Sequence, residues 1–423
     1  MGKLEKYSSY KDSGVEWLGE IPEHWETLSN KNIFKIKQKL VGKKSSEYDL
    51  LSLTLKGIIK RDMENPQGKF PAEFNTYQEV KKGDFVFCLF DVEETPRTVG
   101  LSSFDGMITG AYTVMTTENI DKGYLYYFYL NLDSSKRFKP LYRGLRNTIP
   151  KDSFFSFKTF IPPNEEQTKI ASFLDEKTAQ IDEVISQKEK LIELLKERKQ
   201  IVINDAVTKG LDKNVEFVDS SVDWIGKIPK HWEISKLGTS LKPISIKNRA
   251  DLPLLSVTRE QGVILRDVDD KESNHNFIPD NLSGYKMVEK GQFAMNKMKA
   301  WQGSYGISDY TGIVSPAYFI FELNGIEPTF FHKAIRSSVY VPFFIKASDG
   351  VRIGQWDLSK SRMKEIPFYI PPKEEQLQIV EYIENQTTKI DKAIELQQNY
   401  ISKLREYKAS LIDSVVTGKV RVF

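Results

Sequence analysis

The chain has 423 residues, of which 40% are hydrophobic and 12% aromatic, enough apolar material for two or three folded domains. Its 61 lysines and arginines nearly balance 58 aspartates and glutamates, which excludes a uniformly basic surface. One cysteine excludes an internal disulfide, and four histidines with that cysteine argue against a zinc cluster. A charged amino-terminal segment and the lack of an apolar stretch of about 20 residues favour a cytoplasmic protein without a membrane span.

The sequence contains an internal repeat. Residues 12–26, which include Trp-Leu-Gly-Glu-Ile-Pro-Glu-His-Trp, return as residues 219–233. The segment Ile-Pro-Pro-x-Glu-Glu-Gln occurs at 161–167 and again at 370–376. The shared motifs keep the same order in both halves, whereas the residues between them differ widely. This pattern indicates two related modules in a common frame, each adapted to a different ligand.

Each half is predicted to contain a globular α+β region. Short apolar runs bounded by turn residues predict strands, for example at 48–54, 85–90, 111–115 and 317–321. Aromatic-rich segments at 123–138 and 327–340 have a more helical pattern. Cys88 lies within the run 85–90, so we expect it to be a core residue of a buried strand.

A long helix is predicted after each globular region. A Pro-Pro pair ends the preceding strand, and the two glutamates that follow lie where the dipole at a helix N-terminus favours negative charge. Apolar residues then recur at steps of three and four, which is the heptad pattern of a coiled coil. The predicted contact positions are Leu174, Ile181, Val184, Leu191, Leu195, Val202, Ile383, Ile390, Ala393, Tyr400, Leu404 and Leu411.

We expect the two long helices to pack together as an antiparallel coiled coil that separates the two globular modules around a pseudo-two-fold axis. A helix of about 40 residues is about 60 Å long and would fix the spacing of the modules. The alternative is an independent surface helix on each module, but a sustained apolar repeat needs burial. The predicted domains are 1–160, 161–212, 213–369 and 370–423.

The first module carries a local excess of positive charge. Residues 28–160 contain 21 lysines and arginines against 15 aspartates and glutamates, and no acidic residue lies between Asp133 and Asp152. Such a segment provides cations for phosphates and donors for base edges, so it is the first candidate for binding nucleic acid. The candidate residues of this module are Arg97, Lys136, Arg137, Lys139, Arg143, Arg146 and Asn147.

Two segments of the second module are the corresponding candidates. Gly350-Val-Arg352 matches Gly144-Leu-Arg146 of the first module, and residues 296–302 combine amide, cationic and indole side chains. Any one of these residues could equally be a solvated surface group. The candidates are Lys297, Lys299, Trp301, Gln302, Lys346, Arg352 and Gln355.

The sequence shows no catalytic pattern. It has neither the G-x-x-x-x-G-K-[ST] phosphate loop nor the G-x-G-x-x-G dinucleotide motif. The Pro-Pro pairs lack the amide and aromatic neighbours of an amino-methyltransferase motif. The repeated His-Trp pairs at 24–25 and 231–232 are expected to pack against the helices rather than to react. We therefore expect no catalytic residue, no metal site and no cofactor bound by this chain.

Together these features resemble the specificity subunit, HsdS, of type I restriction-modification systems. The motifs that carry the resemblance are the two Trp-x-Gly-x-Ile-Pro-x-His-Trp segments, the two Ile-Pro-Pro-x-Glu-Glu-Gln segments, and residues 298–304 and 312–318. The resemblance covers essentially the whole chain. The first module departs from it, because residues 88–92 have no match to Lys-Met-Lys-Ala-Trp.

The resemblance implies a non-catalytic DNA-recognition subunit. Each target recognition domain would recognise one half of a bipartite site in double-stranded DNA, and the helices would set the spacing. The helices would also bind two modification subunits, which methylate adenine with S-adenosylmethionine. Restriction subunits, which use ATP and Mg²⁺ to translocate and cut DNA, would join that core.

Two other functions stay open at the level of sequence. A stand-alone regulator with tandem DNA-binding modules would carry the same duplication, but its gene would not lie beside a methyltransferase gene. A coiled-coil scaffold that never binds DNA would show no salt-dependent gel shift. An enzyme in its own right is the least favoured, since no catalytic constellation is present.

Overall fold

The chain is a mixed α+β protein that forms two compact units. The computed structural model describes residues 5–63, 73–267, 278–352 and 355–423, without the side chains of residues 351, 352 and 355. The first four residues of the charged amino-terminal segment therefore lie outside the described part. The first unit contains residues 1–188 and 399–423, and the second contains 189–398. Each unit thus includes a part of each long helix.

The first unit is built from short strands, two short helices and the beginning of a long helix. Its strands are β1 (Tyr10–Asp12), β2 (Glu20–Pro22), β3 (Glu26–Ser29), β4 (Phe34–Ile36), β5 (Leu51–Thr54), β6 (Gly57–Lys60), β7 (Gln78–Val80), β8 (Phe85–Phe87), β9 (Val99–Leu101), β10 (Gly106–Ile108), β11 (Thr113–Thr117) and β12 (Lys158–Ile161). The helices that begin in this unit are α1 (Lys122–Ser134), α2 (Lys151–Ser156) and α3 (Asn164–Lys209).

The second unit contains a similar series of elements. Its strands are β13 (Phe217–Asp219), β14 (Lys227–Pro229), β15 (Glu233–Lys236), β16 (Leu241–Ile244), β17 (Leu255–Thr258), β18 (Gly262–Leu265), β19 (Lys286–Val288), β20 (Phe293–Met295), β21 (Tyr305–Ile307), β22 (Gly312–Val314), β23 (Phe319–Leu323), β24 (Ser348–Arg352), β25 (Gln355–Leu358) and β26 (Pro367–Ile370). The helices that begin in this unit are α4 (Leu237–Ser240), α5 (Pro328–Ile335), α6 (Val341–Lys346), α7 (Lys360–Lys364) and α8 (Lys373–Val416), and the last part of α8 belongs to the first unit.

The same antiparallel sheet lies at the centre of each unit. Its strand order is β4-β11-β8-β9 in the first unit and β16-β23-β20-β21 in the second. In each sheet one of the two inner strands, β8 in the first unit and β20 in the second, is apolar and fully buried. Cys88 directly follows β8 and is 1% exposed, which confirms its predicted place in the core.

The core of each unit is rich in aromatic side chains. In the first unit, the ring of Phe34 packs against Phe85, Phe87 and Tyr129 with centroids 5.4 to 5.5 Å apart and steep interplanar angles. This edge-to-face arrangement is favoured by the charge distribution of the rings. Aromatic residues therefore connect the central sheet to α1. The aromatic-rich segments of the sequence do form helices, α1 and α5.

Segments of both long helices lie side by side within each unit. In the first unit, Lys408 Nζ is 2.6 Å from Asp182 Oδ2, and Lys188 Nζ lies 4.6 Å from the ring centre of Tyr400. The residue numbers on α8 fall as those on α3 rise, so these segments are antiparallel. In the second unit, Lys199 Nζ is 2.7 Å from an oxygen of Asp391.

Burial along α3 corrects two of the predicted contact positions. Val184 and Leu191 are 39% and 42% exposed, whereas their neighbours Ile185 and Ile192 are only 8% and 7% exposed. On α8, Tyr400 is also exposed at 48% and its neighbour Ile401 is buried. Adjacent residues differ by about 100° around a helix, so two neighbouring apolar stripes can have the same heptad spacing. The spacing alone therefore does not tell which stripe is buried.

The other predicted positions face inward to differing degrees. Those that are buried are Leu174, Ile181, Val202, Ile383 and Leu411. Those that are half-buried are Leu195, Ile390, Ala393 and Leu404. Among the described residues, no helix is both long and apolar enough to cross a bilayer.

Candidate nucleic-acid interface

The repeated segment at 12–26, which we call the first strap, is fixed to α3 by one buried glutamate. Glu166 Oε2 lies 2.8 Å from His24 Nε2, and Trp25 Nε1 donates to Glu166 Oε1 at 2.9 Å. The hydroxyl of Tyr7 donates to the same carboxylate, and burial together with Glu166 raises the pKa of Tyr7. Glu166 is the second glutamate of the Glu-Glu-Gln segment, so both shared motifs meet at this point.

The second strap, residues 219–233, repeats this arrangement. Glu375 Oε2 lies 2.8 Å from His231 Nε2, and Trp232 Nε1 donates to Glu375 Oε1 at 3.1 Å. The prediction that the His-Trp pairs are structural is confirmed by these contacts. The sequence did not reveal that a helix N-terminal glutamate would be their partner, although the co-occurrence of the two motifs in both halves was a signal.

Two of the candidate DNA-binding cations lie over strap tryptophans. The guanidinium carbon of Arg137 is 4.5 Å from the ring centre of Trp17, and Lys346 Nζ is 4.5 Å from that of Trp224. Arg137 also donates to Asp413 at 2.7 Å. The two cation–π contacts are repeat equivalents, so the geometry assigns both cations to the attachment of the straps.

Arg97 fixes the turn between β5 and β6 in the first unit. It donates to the backbone carbonyl of Leu55 at 3.2 Å and lies 3.5 Å from Asp133 Oδ2, with only 17% of its side chain exposed. In the second unit, Arg336 from the end of α5 donates to the carbonyls of Arg259 and Glu260 in the corresponding turn between β17 and β18. In each unit an arginine therefore fixes this turn. Arg97 lies just before β9, whereas Arg336 lies at the end of α5.

The remaining first-unit candidates lie on or beside one hairpin. Arg143 and Thr148 exchange backbone hydrogen bonds of 2.8 and 3.1 Å, and the chain turns between them. This hairpin packs on the loop that follows β8, because Ile149 N donates to Leu89 O and Asp91 N donates to Arg146 O, both at 2.8 Å. We call the loop 88–98 with the hairpin 143–148 the first loop–hairpin site.

Charged pairs connect the two parts of this site. Arg146 Nε donates to Asp91 Oδ1 at 2.9 Å, and a second guanidinium nitrogen contacts the other oxygen of that carboxylate. Hydrogen bonding to Arg146 lowers the pKa of Asp91, and the same pair raises the pKa of Arg146. Lys139 Nζ lies 3.0 Å from Glu93. Both pairs are exposed, so a polyanion could displace the carboxylates.

Three further candidates flank these pairs. Arg143 is exposed and donates to the backbone carbonyls of Tyr142 and Pro140 at 2.8 and 3.2 Å. Lys136 and Asn147 are half-buried and both have positive φ, +54° and +45°. The hairpin thus presents a cationic rim, whereas the loop 88–98 contributes the acidic residues Asp91, Glu93 and Glu94.

The structure brings the two candidate segments of the second unit together. The loop between β20 and β21, residues 296–304, contacts the hairpin formed by β24 and β25. Leu358 N donates to Lys297 O at 3.2 Å, and Lys297 Nζ is 3.2 Å from Asp357 Oδ1. This second loop–hairpin site uses the same two positions of the fold as the first.

Two tryptophans distinguish the second site. The rings of Trp301 and Trp356 stack with centroids 5.1 Å apart at 22°. Lys299 is exposed beside them, and Gln302 is half-buried. Sequence analysis missed Trp356, because its partner lies 55 positions earlier in the chain.

The last two candidates of this unit are placed by their backbones alone. Arg352 and Gln355 face each other across the β24–β25 hairpin. Their side chains lie outside the described part of the structure. Among the described residues, no group of His, Cys, Asp and Glu side chains is arranged to hold a metal ion.

Two proteins of Methanocaldococcus jannaschii are similar to this chain in sequence. A proposed specificity subunit of the MjaX type I restriction enzyme is 24% identical over 442 positions, covering 96% of each chain. The MjaVIII type I restriction enzyme specificity subunit is 26% identical over 294 positions, covering 65% of this chain and 64% of that protein. The chain is similar in sequence to type I specificity subunits. The resemblance inferred from its motifs is thereby confirmed.

Solved structures from type I restriction-modification systems share the fold. A chain from a structure on complex assembly and conformational transition of the type I restriction-modification system aligns with a TM-score of 0.65 at 12% identity, covering 94% of this chain and 98% of that one. The HsdS subunit of Thermoanaerobacter tengcongensis aligns with a TM-score of 0.51 at 14% identity, covering 95% and 98%. No protein-family profile matches the sequence.

Proposed function

We propose that this chain is the DNA-recognition subunit of a type I restriction-modification complex. The observation that carries the proposal is the pair of loop–hairpin sites, which occupy the same two positions of the fold in both units but differ in side chains. Such sites suit a bipartite DNA target with two different half-sites. The similarity over 96% of the chain to a proposed specificity subunit supports the same role.

In this proposal the target recognition domains are residues 1–160 and 213–369. The first domain recognises its half-site with the cationic rim around Arg143 and Arg146. The second uses Lys297, Lys299, Gln302, Arg352 and Gln355 beside the stacked tryptophans. Arginine and amide side chains make the paired hydrogen bonds that distinguish guanine and adenine in the major groove. The chain itself is non-catalytic.

We further propose that α3 and α8 form an antiparallel coiled coil with pseudo-two-fold symmetry. The pairs Asp182–Lys408 and Lys199–Asp391 support this, because each residue has its repeat equivalent 209 positions away in the other pair. Charged partners at defined positions fix the register of paired helices. A fixed register would set the spacing between the half-sites.

The same helices would bind two modification subunits. Leu191 on α3 and its repeat equivalent Tyr400 on α8 are both exposed, at 42% and 48%. An exposed apolar side chain at the same position of each unit fits one protein partner per unit. The partners would supply S-adenosylmethionine-dependent methylation of adenine, and restriction subunits would supply ATP- and Mg²⁺-dependent cleavage, in the cytoplasm.

The test is half-site specificity in the complex with the modification subunits. Methylated adenines mapped across the source genome would first give the target. Competition with DNA altered in one half-site should then show that Arg146→Ala loses roughly 1–3 kcal/mol of discrimination in one half-site only. Equal loss in both half-sites would contradict the assignment of one module to one half-site.

Asp91→Asn is the matched control for this test. It weakens the Arg146–Asp91 pair but leaves the cation, so discrimination should be kept if Arg146 acts on DNA. If Asp91→Asn loses as much as Arg146→Ala, Arg146 acts only by positioning the hairpin. Absence of any sequence-specific binding by the wild-type complex would reject the proposed function itself.

A further inference from the structure

A leucine stands at the tip of the first loop–hairpin site. The side chain of Leu145 is fully solvent-exposed, at 104% of its reference area, the highest value among the large apolar residues that the structure describes. It lies between Gly144 and Arg146 in the turn of the hairpin 143–148. Single half-exposed leucines are common on protein surfaces. A fully exposed leucine at the tip of a cationic hairpin is unusual and points to a contact with a partner.

The hairpin holds this leucine in a fixed position. Asn147 N donates to Gly144 O at 3.3 Å and closes the turn, while Gly144 has a φ of +70°, which a residue with a Cβ adopts only with strain. The base of the turn is fixed to the loop after β8 by the Arg146–Asp91 pair. The backbone at Leu145 therefore loses little entropy when a partner binds.

The surroundings of Leu145 favour double-stranded DNA as the partner. Residues 134–151 include six cations and no acidic residue, although Arg137, Lys139 and Arg146 pair with Asp413, Glu93 and Asp91 from other segments. The Lys139 and Arg146 pairs are exposed, so a polyanion can replace those carboxylates. The cations can bind the phosphate backbone of a duplex. The aliphatic side chain beside them can enter the apolar space between two stacked base pairs. Some DNA-bending proteins unstack a base step by inserting leucine or a similar side chain from the minor groove, and Leu145 would do so from the groove in which the adjacent Arg146 binds.

We propose that Leu145 inserts between two base pairs of the first half-site and unstacks that step. This inference rests on the proposed role in DNA recognition and adds a mode of specificity to it. Steps that unstack easily, such as pyrimidine–purine steps, would be preferred at that position without a hydrogen bond to either base. The second module carries the related triplet Gly350-Val-Arg352 on its own hairpin, although the side chain of Val351 lies outside the described part.

The experiment measures base unstacking directly. The full chain with its modification subunits is bound to target duplexes that carry 2-aminopurine at successive positions of the first half-site, excluding the methylated adenine. The fluorescence of 2-aminopurine rises when the base loses its stacking neighbours. We expect a rise at one step with the wild type and no rise with Leu145→Ala, which should also bind the target about tenfold more weakly.

Three controls make the outcome specific. Leu265→Ala removes another exposed leucine, from the second unit, and should leave the signal unchanged. Leu145→Met keeps a long apolar side chain and should retain it. Discrimination in the second half-site, measured with the same Leu145→Ala preparation, reports that this variant is folded.

The results separate this inference from the proposed function. A signal that persists in Leu145→Ala would overturn the insertion of this residue, as would specific binding by the wild type with no signal at any position. In both cases recognition of the half-site would stand. If the wild-type complex shows no specific binding at all, the proposed function fails and the insertion fails with it.

Discussion

At the scale of single residues, a half-buried histidine makes the second unit sensitive to acid. His332 on α5 accepts a hydrogen bond at Nδ1 from the backbone N–H of Ile307 at 3.1 Å. That contact requires the ring to be unprotonated at Nδ1. Burial, reinforced by the nearby charges of Arg336 and Lys333, lowers the pKa of His332 to about 4. The neutral ring is therefore part of the folded second unit.

The sign of the pH effect follows from this shift. The folded pKa of His332 lies below its unfolded value of about 6.5, so its contribution to stability is fully present above pH 6.5. It is lost as the pH falls from about 6.5 to about 4. Thermal unfolding across this range should show a smaller loss for His332→Asn, whose side-chain carbonyl accepts the same hydrogen bond but does not titrate. An equal loss in wild type and variant would contradict this account.

At the scale of elements, the sequence predicted the kinds of structure better than their partners. The α+β modules, the helices at 122–134 and 328–335, and the long helices after each Pro-Pro pair follow from local apolar patterns and turn residues. Local patterns carry no information about contacts between distant residues. The glutamate that fixes each strap and the tryptophans under Arg137 and Lys346 were therefore not predicted.

The same limit applied to the long helices and to the loop–hairpin sites. Two apolar stripes of equal period run along α3, and periodicity alone does not tell which one faces the neighbouring helix. Charge identified the segment around Arg146, but only the fold shows that its guanidinium already pairs with Asp91. Likewise, the sequence predicts the segments 297–302 and 352–355 as two separate candidates. The fold brings them together, because β25 carries Trp356, which stacks on Trp301.

Neighbouring residues on α3 provide a matched test of the corrected contact positions. Ile185 is 8% exposed and Val184 is 39% exposed, so truncation should have very different effects. We expect Ile185→Ala to lower the free energy of unfolding by about 2–4 kcal/mol, through lost burial and a residual cavity. Val184→Ala should cost less than about 1 kcal/mol. Urea denaturation of the full chain would measure both changes in the free energy of unfolding. Equal losses would contradict the assignment of Val184 to the exposed face.

At the scale of the whole molecule, the two duplicated units share one frame but differ at their loop–hairpin sites. Both units keep the same sheet order, an equivalent glutamate that binds the strap, and a cation over the strap tryptophan, which is Arg137 in the first unit and Lys346 in the second. The loop–hairpin sites, by contrast, contain an exposed cationic hairpin in the first unit and half-buried stacked tryptophans in the second. Because the frame stabilises each fold independently of its site, the sites could change their DNA sequence preference without loss of structure.

A duplicated frame also predicts the number of partners. If Leu191 and Tyr400 are equivalent contact positions for modification subunits, each single substitution should remove one partner of two. Leu191→Glu and Tyr400→Glu place a good helix former at each exposed position, and a carboxylate at position 400 can still attract Lys188 of α3, which lies over the Tyr400 ring. The helices should therefore stay intact while a charge enters each apolar contact. Native mass spectrometry of the reconstituted complex should show two modification subunits for the wild type, one for each single variant and none for the double variant.

Gln398→Glu is the control for this experiment, since it adds the same charge at an exposed position two residues before Tyr400. It should leave two modification subunits bound, because it removes no apolar contact. If both single variants still bind two subunits, the exposed apolar stripe is not the docking surface. If one single variant releases both, the two positions belong to one shared contact, and the equivalence of the units does not extend to their partners.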